Sequence, residues 1–226
     1  MHYRDRWEAG EVLAKHLVGL CGDPEVIVLG IPRGGVVVAF EVARALRAPL
    51  DIYITRKISV PHNPELAIGA VASDGTVFVE HDMAASLGAT PEYIAAETQA
   101  QKEEIQRRAR LYRQGRPGPE IADRIVVVVD DGVATGATVT VALRALRSRN
   151  PKKLILAVPV APPDTIGRLR READEVICPL RPLTFWAVSG FYRVFDQTRD
   201  DEVIRLLEQA DRERAERENP PDETPD

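Results

Sequence analysis

The sequence predicts an α/β fold in which helices flank a parallel β-sheet. Short runs of β-branched and aliphatic residues, of which residues 125–129 are the clearest, have the unbroken apolar character of strands buried on both faces. These runs alternate with segments of helical periodicity, which is typical of parallel strands joined by crossover helices. A chain of 226 residues can bury a full core, and we expect a single domain over residues 1–210.

The beginning of the chain contains the first strand and its two neighbouring helices. Three leucines at helical spacing predict an amphipathic helix over residues 7–20. The apolar run 26–29 predicts a buried strand, and residues 30–35 (Gly-Ile-Pro-Arg-Gly-Gly) then break into a glycine-rich loop. A helix over residues 36–46 follows, so this stretch forms a strand, loop and helix unit.

A loop and a hairpin are predicted next. Residues 51–54 form the second strand, and residues 55–65 are expected to be a loop because they contain two prolines and no periodicity. The segments 67–72 and 76–79 flank an Asp-Gly pair, which is typical of β-hairpin turns.

The second half of the chain begins with a helical insertion. Thr90 and Pro91 predict the start of a charged helix over residues 90–113. Residues 176–196 are rich in aromatic residues and irregular, and we expect them to form a small hood. Residues 211–226 are expected to be a disordered acidic tail. The remaining predicted elements are a helix over 138–148, a strand over 154–158, a short helix from 164, a strand over 175–178 and a helix over 200–210.

Composition limits the classes of function. The chain is 44% hydrophobic and 29% charged, as in ordinary soluble proteins, and no apolar run approaches the ~20 residues of a membrane span. Its start lacks the apolar segment of an export signal, so we expect a cytoplasmic protein without a membrane partner. Cys21 and Cys178 form no cysteine–histidine cluster, which argues against a zinc site or a disulfide scaffold. The net charge is −5, of which the tail from residue 211 carries −4, and this near-neutral body argues against a nucleic-acid partner.

Residues 126–138 (Val-Val-Val-Val-Asp-Asp-Gly-Val-Ala-Thr-Gly-Ala-Thr) carry the strongest functional pattern. Asp130 and Asp131 follow a buried strand, and open α/β sheets bind ligands at the carboxyl ends of their strands. Two adjacent carboxylates accept hydrogen bonds and therefore suit the vicinal hydroxyls of a ribose. The small residues that follow lead into a helix, whose first N–H groups favour a phosphate. The pattern thus predicts a site for a phosphorylated pentose.

This stretch resembles the signature of the type I phosphoribosyltransferases, whose fold has a Rossmann-like core. The resemblance implies that Asp130 and Asp131 bind the ribose hydroxyls of 5-phosphoribosyl-1-diphosphate. We expect no direct protein ligand for Mg²⁺, which these two aspartates would contact only through water. The resemblance also implies that the loop that follows binds the 5-phosphate; its residues are Thr135, Gly136, Ala137 and Thr138. Relatives are often dimers, so a homodimer fits as well.

Two further segments match the same family. The glycine-rich loop with Arg33, Gly34 and Gly35 lies where these enzymes bind pyrophosphate, and the family pattern implies a cis peptide, which we expect at Arg33–Gly34. Arg56 and Lys57 resemble the pair that adenine phosphoribosyltransferases place after their second strand, and would stabilise the departing pyrophosphate. Residues 59–65 fit the flexible lid that excludes water from such sites.

The acceptor is left open by the sequence. Ala134 stands where enzymes for 6-oxopurines carry an aspartate, which makes hypoxanthine or guanine less suitable acceptors. Phe185 and Trp186 belong to the aromatic hood, where relatives stack the nucleobase, although core packing is the more common role for such residues.

Two functional hypotheses follow. The first is a Mg²⁺-dependent enzyme that transfers phosphoribosyl to a nitrogen acceptor, in which Asp130, Asp131, Arg56 and Lys57 serve catalysis. The second is a regulatory protein that binds the same donor without turnover. A P-loop hydrolase is excluded because the chain lacks GxxxxGK[ST], and residues 30–35 do not match the GxGxxG of dinucleotide-binding proteins.

Overall fold

The structure is a computed structural model that describes residues 2–218, without the side chains of residues 64 and 65. In this part of the chain the strands are β1 (Val26–Gly30), β2 (Leu50–Ile52), β3 (Thr55–Val60), β4 (Asn63–Ala72), β5 (Val77–Val79), β6 (Ile125–Val129), β7 (Lys153–Ala157) and β8 (Glu175–Ile177). The α-helices are α1 (Arg6–Lys15), α2 (Gly34–Leu46), α3 (His81–Ser86), α4 (Pro91–Arg113), α5 (Ala137–Arg147), α6 (Pro163–Leu169) and α7 (Asp200–Glu218).

A five-stranded parallel sheet forms the centre of the molecule, in the order β2-β1-β6-β7-β8. The predicted α/β fold is therefore confirmed. β1 lies between β2 and β6. After β1 the chain continues to β2 on one side, and after β6 it continues to β7 on the other side, so the strand order reverses between β1 and β6. Gly30 and Val129 are register partners at the carboxyl ends of β1 and β6. Loops that follow these two strands diverge and leave a crevice, where open α/β sheets bind their ligands.

Helices cover both faces of this sheet. Val26 and Val28 of β1 point into a core formed with α1, α2 and α7, whereas Ile27 and Leu29 point into a second core formed with α5 and α6. Alternate residues of a strand face opposite sides, so an unbroken apolar run is what a sheet covered on both faces requires. None of the helices in the described part of the chain is long and apolar enough to cross a lipid bilayer.

A second sheet, antiparallel and three-stranded, has the order β3-β4-β5. The predicted hairpin between residues 67–72 and 76–79 is confirmed by the pairing of β4 with β5. The loop predicted over residues 55–65 is wrong: residues 55–60 form a strand, and only a tight turn at 61–62 separates it from β4. The segment 59–65 is therefore the end of a hairpin, and its role as a lid stays a prediction. The strand forms because Ile58 and Val60 are buried at alternate positions, so the prolines only flank it.

The helical insertion begins and ends where the sequence predicts. The Thr90 side chain accepts a hydrogen bond from Tyr93 N at 3.2 Å, and Pro91 occupies the first turn of α4. One side of the helix packs on β3 and α7, where Ile105 and Tyr112 are buried. The insertion therefore covers the antiparallel sheet.

The C-terminal helix is longer than predicted. Helix α7 continues to Glu218, so the expectation of disorder is wrong for residues 211–218. Contacts within and outside the helix explain the extension, because Gln209 Nε2 donates to Glu213 Oε1 at 2.8 Å and Arg116 pairs with Asp211. The remainder of the predicted tail, residues 219–226, lies outside the described residues. The predicted hood, residues 176–196, begins with the last two residues of β8 and is otherwise irregular, apart from a 3₁₀ turn at Val188–Phe191.

Candidate functional site

The acidic pair lies at the carboxyl end of β6, beside the loop that follows β1. Asp130 lines a cavity of about 240 Å³, together with the loop that connects β6 to α5. Asp130 Oδ1 also accepts a hydrogen bond from the backbone N–H of Asp131 at 2.9 Å. The cavity therefore has a carboxylate at one end and the small-residue loop along its wall.

Asp131 faces a different group, the guanidinium of Arg6. Arg6 Nε lies 2.8 Å from Asp131 Oδ2, and the pair is largely buried. Arg6 also donates from Nη1 to the backbone oxygen of Asp196 at 2.7 Å, and its guanidinium lies 3.8 Å from the ring centroid of Phe195. The Tyr192 hydroxyl donates to the backbone oxygen of Asp131. The two aspartates are thus adjacent, but they have different partners.

Two glycines after β1 allow the loops to approach this pair. A Cβ atom on Gly34 would collide with Asp131 Oδ2 and lie 2.7 Å from Arg6 Nε. A Cβ on Gly35 would lie 2.8 Å from the Cα of Asp130. Only glycine fits where the start of α2 meets the acidic pair so closely. Gly34 and Gly35, predicted from the pattern, are therefore brought against both aspartates.

The electrostatics of the pair follow from burial. Burial and the neighbouring Asp131 carboxylate raise the pKa of Asp130 well above its ordinary value. Burial also raises the pKa of Asp131, although the Arg6 guanidinium opposes that rise. Burial raises the pKa of the Tyr192 hydroxyl, which therefore remains a hydrogen-bond donor. Such a site favours hydroxyl donors or positive charge and repels an anion.

The small-residue loop ends at the start of α5. Gly136 is the N-cap of this helix and has a left-handed backbone with φ of +83°, which favours glycine. Helix α6 supports the loop, because Thr165 Oγ1 donates to Ala134 O at 2.8 Å and Arg168 Nη2 donates to Thr135 O at 3.2 Å. The start of a helix carries the positive end of its dipole. The supported loop can therefore hold a phosphate beside the acidic pair.

Arg56 and Lys57 lie on β3, and their cavity joins the first one. They line a space of about 520 Å³ between the antiparallel sheet, α4 and the start of α5. Ala137 and Thr138 line both cavities. Arg56 Nε donates to Gln101 Oε1 at 2.6 Å, so α4 orients its guanidinium. The structure thus brings the predicted basic pair next to the small-residue loop that connects β6 to α5.

The Arg33 side chain contacts the start of α7 and not the basic pair on β3. Its Nη1 lies 3.8 Å from Asp200 Oδ1 at the start of α7, a carboxylate that also accepts a hydrogen bond from the Tyr112 hydroxyl. The cis peptide of this loop is Pro32–Arg33, so its predicted position at Arg33–Gly34 is wrong. Arg33 is already the N-cap of α2, and its bond to Gly34 leads into the regular trans backbone of the helix.

The hood aromatics have two environments. Phe185 stacks on Phe191, with ring centroids 5.1 Å apart, and both pack on a small core that contains Tyr3 and Tyr192. Trp186, by contrast, is 92% exposed. The N-terminal segment is part of this hood, because Tyr3 N donates to Phe191 O at 2.8 Å. Sequence reasoning missed this segment, Arg6 included, since no local pattern distinguishes it from a charged surface.

A resident metal centre has no obvious ligand set. Among the described residues, no group of three or more histidine, cysteine, aspartate or glutamate side chains is placed to hold a metal ion. Asp130 and Asp131 offer hard oxygen ligands, which suit a cation that takes its other ligands from water and phosphate. Any magnesium at this site would therefore be shared with a bound phosphorylated molecule.

Comparison with known proteins gives a consistent family. The model of a phosphoribosyl transferase domain matches residues 7–196. Proteins from two strains of Mycobacterium tuberculosis, whose names assign them provisionally to the phosphoribosyl transferases, are 45% identical over 214 residues. That alignment covers 95% of this chain and 48% of each relative, so the chain spans about half the length of these relatives. The crystal structure of TT1426 from Thermus thermophilus is 41% identical, covers 92% of this chain and 99% of that one, and superposes with a TM-score of 0.82.

Proposed function

The chain belongs to the phosphoribosyl transferase domain family, and from this premise we propose that it transfers a 5-phosphoribosyl group from 5-phosphoribosyl-1-diphosphate to a nitrogen acceptor. Pyrophosphate is the second product. The bond between the anomeric carbon and the diphosphate oxygen breaks, and a bond from the same carbon to nitrogen forms.

The observation that carries this proposal is the pair of adjoining cavities. Asp130 stands at one end, Arg56 and Lys57 stand at the other, and the walls meet at Ala137 and Thr138. The proposed donor has hydroxyls in its middle and phosphates at both ends. The acidic group suits the hydroxyls of the donor, whereas the loop before α5 and the basic pair suit its two phosphate ends.

The ribose and its 5-phosphate occupy the first cavity in this proposal. Asp130 and Asp131 accept hydrogen bonds from the ribose hydroxyls. Backbone N–H groups at the start of α5, with the hydroxyls of Thr135 and Thr138, bind the 5-phosphate. Support for the phosphate position comes from Gly136, whose conformation ends the loop and begins the helix.

The diphosphate lies toward β3 and the loop after β1. Arg56 and Lys57 neutralise its charge. The loop with Gly34 and Gly35 lies at the border between the diphosphate and the ribose hydroxyls, because both glycines pack against the acidic pair. Arg33 joins the basic pair once its side chain turns away from Asp200. Asp130 and Asp131 would hold Mg²⁺ through water, and the ion would supply positive charge for the departing diphosphate.

The acidic pair also favours the reaction electrostatically. Positive charge develops at the anomeric carbon as the diphosphate leaves, and nearby carboxylates in a low-dielectric site stabilise that charge. The antiparallel sheet, which carries the basic pair on β3, lines the larger cavity and limits the access of water, which would otherwise hydrolyse the donor.

The acceptor in this proposal is a nucleobase or a similar nitrogen heterocycle. Ala134 offers no carboxyl group for proton transfer to a 6-oxopurine, and the hood presents Trp186 and Phe185 as aromatic surfaces. Exposure of Trp186 leaves one of its faces accessible to a flat ring.

The test is a panel of nucleobases with isotopically labelled donor and Mg²⁺, in which pyrophosphate release and nucleotide formation are followed. Asp130→Asn and Asp131→Asn should each lower donor affinity and turnover, because an amide is a weaker acceptor than a carboxylate. The matched control is Asp51→Asn, which removes a buried carboxylate that pairs with Arg113 and lines neither of the two cavities.

The outcomes separate the two hypotheses. Donor-dependent nucleotide formation that the site variants lose and the control retains supports the transferase. Donor binding without turnover for any acceptor favours the sensor. Wild-type protein that does not bind the donor overturns both.

A further inference from the structure

Arg6 lies at the junction of three parts of the molecule. It is the first residue of α1, and Asp5 caps that helix by accepting a hydrogen bond from Glu8 N at 2.9 Å. Its guanidinium contacts Asp131 of the acidic pair, the ring of Phe195 and the backbone of Asp196. A single cation therefore links the N-terminal helix, the hood and the end of β6.

We propose that Arg6 is a positioning residue for the pentose, which holds Asp131 in the orientation that accepts a ribose hydroxyl. The inference rests on the proposed function, because it concerns how the same site recognises its donor. Arg6 acts through Asp131 and does not itself contact the sugar.

The geometry supports positioning because both partners are fixed. Arg6 is held from one side by the carbonyl oxygen of Asp196 at 2.7 Å and from another by the Phe195 ring at 3.8 Å. Asp131 is held at its backbone oxygen by the Tyr192 hydroxyl and at its side chain by Arg6 Nε at 2.8 Å. The contact uses Oδ2, so Oδ1 is the oxygen that this ion pair does not engage. Rigid second partners of this kind orient a binding group within a small angle.

The charge of the acidic pair is a second reason to assign a positioning role to Arg6. Asp130 and Asp131 are adjacent and buried, and two carboxylates at such a site repel each other. Arg6 places a positive charge 2.8 Å from Asp131 Oδ2, which offsets part of this repulsion. Without it, the site would hold two unbalanced buried carboxylates.

A merely structural ion pair would have the same appearance, and the chain offers a control for it. Arg113 Nε lies 3.0 Å from Asp51 Oδ1, and the two side chains are 10% and 18% exposed. The corresponding exposures are 11% for Arg6 and 16% for Asp131. The two pairs therefore match in chemistry and burial, and only the pair of Arg6 with Asp131 contains a member of the acidic pair.

The experiment measures discrimination between sugars. Ribose 5-phosphate, 2-deoxyribose 5-phosphate and 3-deoxyribose 5-phosphate are each titrated against displacement of labelled 5-phosphoribosyl-1-diphosphate. The wild-type protein should prefer ribose 5-phosphate over both deoxy sugars. In Arg6→Gln the affinity for ribose 5-phosphate should fall about tenfold, as expected for loss of one well-oriented hydrogen bond. Affinity for at least one deoxy sugar should change little, so the preference over that sugar shrinks.

Two further variants complete the test. Arg6→Lys should give an intermediate preference, because lysine keeps the charge but neither the fork of donors nor the flat stacking surface. Arg113→Gln should lower the thermal midpoint and leave the sugar preference unchanged. Thermal unfolding confirms that each variant is folded before its affinities are compared.

Each result decides the inference. A folded Arg6→Gln protein with the wild-type preference overturns the positioning role while leaving the proposed function intact. Tighter ribose 5-phosphate binding in that variant also overturns it, because Arg6 would then compete with the sugar. Wild-type protein that fails to bind donor or to distinguish the sugars overturns the proposed ribose site together with this inference.

Discussion

Gly34 and Asp131 are packed so closely that no side chain fits between them. A Cβ atom on Gly34 would lie 2.9 Å from Asp131 Cγ and collide with its Oδ2. The first turn of α2 is therefore in direct contact with the acidic pair, and the two loops at the strand reversal act as one surface.

Gly34→Ala should lower both stability and donor affinity. The added methyl group must displace Asp131 or Arg6, and overpacking of this kind costs about 1–3 kcal/mol. Donor affinity should fall at least tenfold, as measured by titration. The control is Gly167→Ala in α6, where a Cβ atom meets nothing within 4 Å. Alanine there should stabilise the helix by up to about 1 kcal/mol. A Gly34→Ala protein that is as stable as Gly167→Ala would contradict the packing.

Asp130→Asn should stabilise the fold while removing donor binding. Burial and Asp131 raise the pKa of Asp130, so the folded protein binds this proton more tightly than the unfolded chain. The stability contributed by this group is complete below the ordinary carboxyl pKa and is lost as the pH rises through the raised pKa. Asparagine avoids that loss, so the variant should be more stable than the wild type at neutral pH and above.

Urea unfolding from acidic to mildly alkaline pH, without divalent cations, measures this effect. The stability difference between Asp130→Asn and wild type should grow with pH and vanish in acid. A constant difference at every pH would mean that the buried charge is not the cause.

Thr165→Val should destabilise the small-residue loop that connects β6 to α5. Thr165 Oγ1 donates to Ala134 O at 2.8 Å and accepts from Arg168 Nη2 at 3.0 Å, and valine removes both contacts with almost the same volume. We expect a stability loss of about 1 kcal/mol. The KM for the donor should rise severalfold with little change in kcat.

The matched control for this variant is Ser148→Ala. It removes a comparable bond, from Ser148 Oγ to Ala145 O at 2.7 Å, at the opposite end of α5. That variant should leave the KM for the donor unchanged. An equal rise in both proteins would point to general loosening of the helix.

Trp186→Ala should affect the acceptor alone. Trp186 is exposed, so its loss should change stability by less than about 0.5 kcal/mol. If the acceptor stacks on it, the KM for the acceptor rises and the KM for the donor stays constant. Acceptor should also quench Trp186 emission, whereas Trp7, which packs edge-on against Phe40, should be unaffected. An unchanged KM for the acceptor would show that the base binds elsewhere.

Local patterns in the sequence were sufficient for the main strand and its loop. The β-branched run predicted β6 with its observed bounds, Ile125–Val129, since both of its faces are buried. Thr90 and Pro91 likewise predicted the start of α4, because a cap depends only on residues within one turn. Such features need no knowledge of distant residues.

The strand β3 was missed for a different reason. Prolines at positions 61 and 64 favoured a loop, but the first lies in the turn and the second near the start of β4. The alternation of Ile58 and Val60 was a usable signal, although too short to outweigh the prolines. Burial against α4 and α5 decides the conformation here, and that packing is tertiary.

The partner of Asp131 was beyond sequence reasoning. Arg6 lies 125 residues before Asp131, among other charged residues, and nothing in its neighbourhood indicates burial. Only the closing of the hood onto the N-terminal segment makes this arginine part of the site. The same is true of Tyr192, which reaches Asp131 across 61 residues.

The pairing of Tyr3 with the hood has a consequence for the order of folding. Tyr3 donates to Pro159 O across 156 residues, and Arg6 donates to Asp196 O across 190. Contacts between such distant positions form late, because a long loop must close before they contribute. A nascent chain that ends before residue 196 contains all strands up to β8. It still lacks the backbone oxygen of Asp196 to which Arg6 donates. The contact between Arg6 and the hood therefore forms only after the strands of the parallel sheet are available.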